Sequence, residues 1–172
     1  MTKRVACICE GGAERAILDL LLDKHKLIFE REDLIDEEIL RVRTASIFQQ
    51  RYLGKGFESP ITLYRILDSR RENFKLSPQY KQKVQVKNVI TAPEIEMLII
   101  INEGKYSDYD KVKSRTKPSE YCKSCLGYKN VKQYDFVKTY FVDAENLINV
   151  LHIYRQKSKK RDDEMTIYDL LK

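Results

Sequence analysis

The chain has 172 residues, 42% of them hydrophobic and 34% charged, and a net charge of +6. That length supports one domain with a genuine core, and the recurring apolar runs exclude a disordered chain. No run approaches the ~20 residues that a membrane-spanning helix requires. The positive excess favours an anionic partner, with nucleic acid the commonest candidate. Basic residues crowd between Lys105 and Lys117, and again at Arg155, Lys157, Lys159, Lys160 and Arg161. A solvated lysine-rich face accounts for such runs equally well.

In chain order, residues 5–9 are uncharged and read as a buried strand that closes on Glu10. Gly11 and Gly12 predict a sharp turn through backbone angles closed to other residues. Ala16, Ile17, Leu20, Leu21 and Leu22 then recur at helical spacing to about His25, with Glu14 in the first turn. An acidic segment spans 30–38, and 40–45 reads as a second strand. Ser46 is the expected cap of a helix towards Leu53, ended by Gly54 and Gly56. Residues 61–67, after Pro60, form the third strand and close on Asp68. A polar loop covers 69–78, and 84–90 is the fourth strand.

Thr91-Ala-Pro-Glu94 predicts a helix start, with Thr91 as cap, Pro93 in the first turn and Glu94 completing a capping box. That helix covers 94–102, is apolar enough to be buried, and stops at Gly104. Beyond Lys105 no strand pattern remains. Short helices are expected from Lys117, over 134–141, over 144–154 and over 166–171. The fold class is therefore α/β, with a mostly parallel four-stranded sheet flanked by helices. Residues 1–104 form its core and 105–172 a helical C-terminal part packed on it, within one domain.

The N-terminus carries no signal-peptide core, since five residues separate Arg4 from Glu10, so a cytoplasmic location is expected. Cys7 and Cys9 alternate on the first strand, where free cysteine packs as a small hydrophobe. Cys122 and Cys125 have zinc-knuckle spacing but no second Cys/His pair nearby, so helix packing is the expected role. His25 and His152 lie far apart and read as surface or packing residues. The eleven tyrosines are scattered, mostly on helix faces, where half-buried packing competes with base stacking.

Parallel strands deliver their carboxyl ends to one edge, where open α/β sheets bind ligands. Glu10 and Asp68 would meet there if their strands are neighbours, with Glu94 and Glu96 on the same edge and Glu14 one turn away. Carboxylates suit magnesium, manganese and calcium. No Gly-x-Gly-x-x-Gly or P-loop lysine is present, which argues against a phosphate-cradling loop. The plain alternative is that Glu14 merely favours the positive end of its helix.

The stretch Cys9-Glu10-Gly11-Gly12-Ala13-Glu14 resembles the signature of toprim domains, the metal-binding modules of topoisomerases, DnaG-type primases and related nucleases. The family's later Asp-x-Asp corresponds here to Asp68-Ser69-Arg70, in which the first acid agrees and the second is a cation. Thr91-Ala-Pro-Glu94-Ile95-Glu96 is similar to the helix start of small toprim proteins encoded beside ATPases in defence and mobile elements. The resemblance covers residues 3–103 and implies a toprim-like fold. It implies Mg²⁺-dependent (or Mn²⁺-dependent) cleavage or strand transfer on nucleic acid. Glu10 would bind metal or act as general acid/base, Asp68 would bind metal, and Glu14 and Glu94 would assist.

Arg70 adds repulsion near a divalent ion. Three outcomes stand open: Glu14, Glu94 or Glu96 supplies the missing carboxylate; Arg70 holds a phosphate; or the site binds without turnover. Arg70, Arg71, Lys113 and Arg115 are the expected nucleic-acid contacts. The literal Asp108-Tyr109-Asp110 follows a helix and a polar turn instead of a strand, which makes it the weaker partner. The competing function is a catalytically inactive interaction subunit that docks a partner ATPase or nucleic acid. No membrane partner is expected.

Overall fold

The computed structural model describes residues 4–54, 56 and 59–172. Residues 1–3 of the expected core lie outside the described residues. Three strands, β1 (Arg4–Cys9), β2 (Ile61–Leu67) and β3 (Val84–Ile90), form one sheet in the order β1-β2-β3. Both pairings are parallel, with Cys9 opposite Ile66 and Leu67 opposite Ile90. Eight α-helices accompany them among the described residues: α1 (Gly12–Asp23), α2 (Ala45–Phe48), α3 (Pro78–Lys81), α4 (Met97–Asn102), α5 (Tyr106–Asp110), α6 (Pro118–Ser124), α7 (Tyr134–Tyr140) and α8 (Ala144–Lys157).

Alternation along each strand sorts its side chains onto two faces, because successive residues point opposite ways. Val5, Cys7, Cys9, Tyr64, Ile66 and Val89 join the larger core. The start, middle and end of the chain contribute to that core: Ile17, Leu18 and Leu21 from α1, Leu98, Ile99 and Ile100 from α4, and Leu147, Leu151 and Tyr154 from α8. Ala6, Ile8, Ile61, Leu63 and Val84 face a smaller core closed by Leu40, Val42, Phe48, Leu53 and Leu76. The sheet is thus covered on both faces, as a parallel sheet requires. The C-terminal helices share the larger core with β1, and α1 packs on α7 while α4 packs on α6 and α8.

The expected second strand at 40–45 is the main difference. Only Leu40 pairs: its N–H reaches the Cys7 carbonyl at 2.8 Å, and its carbonyl accepts from Cys9 N–H at 3.0 Å. β1 ends at Cys9, so the segment past Leu40 has no further rungs to join. It keeps the alternation of a strand, with Leu40 and Val42 buried and Arg41 and Arg43 exposed. On the opposite edge Met165 makes an equivalent single bridge, bonding Asn88 and Ile90 of β3 at 3.0 and 2.7 Å.

Helix boundaries also differ. α4 begins at Met97, three residues after Glu94, because neither expected capping group is free. Thr91 bonds the Leu67 carbonyl through both its N–H and its hydroxyl, and Glu94 accepts from Ser119 N–H at 3.1 Å. Thr44, not Ser46, caps α2, accepting from Ile47 N–H at 3.3 Å. Gly11 and Gly12 do not use positive φ angles. Gly12 is needed for closeness, since a Cβ there would lie 2.8 Å from the Lys132 carbonyl, whereas a Cβ on Gly11 would lie 1.9 Å from a Glu14 carboxylate oxygen and displace that side chain.

Arg70 fastens the C-terminal strip to the end of β2. Its Nε and Nη2 donate to the two oxygens of Glu164 at 2.6 and 2.8 Å, and Nη2 also reaches the Lys159 carbonyl at 2.7 Å. The Arg70 hydrogen bonds hold the Glu164 carboxyl down at about 2. Arg70→Ala is expected to cost about 2 kcal/mol of stability, since it strands a mostly buried carboxylate. Hydrogen exchange checks this: the Met165 amide should exchange faster in the variant, and an unchanged rate contradicts the role.

Candidate functional site

The register of β1 and β2 sets the site. Cys9 and Ile66 are the last paired residues, so Glu10 and Asp68 leave the sheet at the same edge on adjacent strands. Adjacent strands run about 4.8 Å apart. A cleft of about 70 Å³ opens there, lined by Glu10, Glu14, Asp68 and Glu72, with Arg65 among its walls. Three of the acids named from sequence therefore share one cleft. Glu94 does not line it.

Glu10 is exposed and meets Arg43 at 3.4 Å. Arg43 is 82% exposed, so that pair is weak and readily displaced. Glu14 folds back over Gly11 and accepts from the Thr91 hydroxyl at 3.4 Å. Burial pushes its carboxyl up, and the nearby Asp68 carboxylate adds to the shift. Behind it lies Glu96, 5% exposed, which burial pushes up to about 7 with help from Glu14 and Glu94. Lys132 opposes these shifts and stands 3.5 Å from Glu94. Burial works against ionising Glu94, but the Ser119 bonds and Lys132 hold it below its ordinary value.

Arg65 brings a cation into the same cleft. It is 5% exposed, donates to Glu72 at 3.1 Å, and stacks over the Phe74 ring at 4.3 Å. Burial pulls its pKa down, and Glu72 and Glu10 oppose that pull. Arg65 is absent from the candidates drawn from sequence, although a charged residue inside the apolar run 61–67 is a visible signal. Lys132 lies 38 residues from Glu94, and nothing local in the sequence links the two.

Arg70 lines a second cleft, with Lys113, Lys157 and Lys159. Arg71 is exposed, its N–H bonded to the Ser69 hydroxyl at 3.2 Å. Arg115 is exposed and lines neither cleft. Asp108 and Asp110 pair with surface lysines, Lys111 at 3.3 Å and Lys113 at 2.7 Å. Cys7, Cys9 and Cys122 are buried and Cys125 is exposed, all four as free thiols. Burial pushes the Cys7 and Cys122 thiols up to about 12, which makes them inert.

Among the described residues, no group of three or more His, Cys, Asp or Glu side chains is arranged to hold a metal ion. The donor chemistry suits a hard cation that keeps most of its waters, for which Glu10 and Asp68 are the direct candidates. No helix among the described residues is long and apolar enough to cross a membrane. No protein-family model, curated protein or solved structure matches this chain.

The Glu96 carboxyl makes stability depend on pH. Its folded value, about 7, exceeds its ordinary value of 4.5, so between those the folded state keeps a proton that the unfolded state has lost. Stability therefore falls as pH rises through that window, by roughly 3 kcal/mol for this group. Glu96→Gln should gain stability over the wild type at pH 8 and show little gain at pH 5. Urea unfolding at both pH values checks this, and an equal difference at the two contradicts it.

Proposed function

We propose that this protein binds nucleic acid and hydrolyses phosphodiester bonds with Mg²⁺ at the cleft between the ends of β1 and β2. The observation that carries the reading is the convergence of Glu10, Glu14 and Asp68 on that one cleft. The toprim resemblance of residues 9–14 and 68–70 supports it, with Arg70 as its departure. Glu10 and Asp68 would hold the ion, and a bound Mg²⁺ would offset charge on the phosphate and lower the pKa of water.

The chain's own groups do the rest. Arg65, held by Glu72 and Phe74, presents a fixed cation to charge developing on the phosphate. Glu14, whose carboxyl burial raises, takes the proton from the attacking water. Water attacks phosphorus, the bond to the leaving oxygen breaks, and solvent protonates that oxygen.

A second reading is a non-catalytic interaction subunit that docks a partner ATPase or nucleic acid. It is favoured by Arg70 standing where the resemblance expects an acid, with its guanidinium bound to Glu164. The two readings separate in one experiment. Purified protein is incubated with Mg²⁺ or Mn²⁺ and labelled DNA or RNA, beside Glu10→Gln and Asp68→Asn. The first reading expects cleavage that falls on the order of 100-fold in each variant. Cleavage unchanged in Glu10→Gln overturns it, and binding without any cleavage supports the second.

A further inference from the structure

The two basic runs of the sequence meet on one wall of the fold. A cleft of about 470 Å³ lies beside the acidic one, lined by Arg70, Lys113, Lys157 and Lys159 together with Tyr106. Those four cations face it, and among the described residues no carboxylate does. Asp110, at its rim, is engaged by Lys113 at 2.7 Å and by the Tyr106 hydroxyl at 3.3 Å. Arg70 is engaged by Glu164. Lys157, at the end of α8, sits over the Tyr106 ring at 4.6 Å. Lys159 is exposed, and its backbone is fixed by the bond from Arg70 to its carbonyl.

We propose that this cleft binds a single-stranded nucleic-acid segment, with phosphates on Lys113, Lys157 and Lys159 and a base against Tyr106. Three features favour that occupant. The walls combine cations with an aromatic ring and apolar groups (Pro93, Met97, Tyr109), which matches the mixed phosphate and base character of a strand. A duplex keeps its base faces stacked inside and has none to offer Tyr106. The cleft also adjoins the acidic one through the loop after β2, where Asp68 and Arg70 stand two residues apart, and Thr91, two residues before Pro93, bonds Glu14 of the acidic cleft. A strand seated here would run on towards Glu10 and Asp68. The inference rests on the nucleic-acid half of the proposed function and not on its metal chemistry.

Fluorescence anisotropy of a labelled oligothymidine of about 10 nucleotides, in EDTA, tests it. The strand should bind at least about 10-fold more tightly than a duplex of equal length. Lys157→Glu with Lys159→Glu should weaken it at least about 30-fold and flatten its salt dependence. Tyr106→Leu should weaken it about 10-fold. If charge reversal unfolds the protein, Lys157→Ala with Lys159→Ala serves, with a smaller loss in the same direction. Equal binding of strand and duplex, no binding of either, or binding indifferent to both double variants of Lys157 and Lys159 overturns the proposal. Strand binding as described without hydrolysis overturns only the metal reading. Hydrolysis lost in Glu10→Gln, beside cleft variants that bind normally, overturns only this one.

Discussion

The level ending of two parallel strands is the constraint on which the molecule's candidate chemistry depends. Because Cys9 pairs with Ile66, the chain leaves β1 and β2 at one edge and carries Glu10 and Asp68 out together. Slipping the register by one residue would exchange the two faces of a strand, moving Cys7 and Cys9 out of the larger core. Packing on both faces therefore fixes the position of both acids. Gly11 and Gly12 then let Glu14 and the Lys132 backbone approach the strand end more closely than any Cβ allows.

Charge is sorted along that edge. Acids gather in front of β1 and β2, and cations gather beside them around Arg70, Lys113, Lys157 and Lys159. The Arg70–Glu164 pair stands at the boundary and ties the C-terminal strip to the sheet. Lys132, from the C-terminal half, faces Glu94 and moderates the buried Glu96. The helical part thus supplies counter-charge to the acids of the sheet edge as well as much of the larger core.

Much of this is legible in the sequence, for local reasons. The first two paired strands are visible as mostly apolar runs, the third by its valine spacing, and the helices at 134–140 and 144–157 by their periodicity, because burial imposes those patterns directly. Segment 40–45 looks like a strand because its alternation is real, but a ladder needs a partner and β1 stops too early. Thr91 and Glu94 look like capping groups because capping is a local rule, whereas their actual partners, Leu67 and Ser119, are 24 and 25 residues away. Glu10, Glu14 and Asp68 stand out through strand ends and resemblance. Lys132 and Glu164 act across the fold, and their roles depend on packing that no short window contains.

Binding of Mn²⁺ followed by paramagnetic broadening of backbone amide signals tests the central claim most directly. Sub-stoichiometric Mn²⁺ should broaden the signals of Glu10, Gly11, Asp68 and Ser69 first and spare those of Lys157 and Lys159. Broadening centred elsewhere, or none at these four residues, would contradict a shared carboxylate pocket at the ends of β1 and β2.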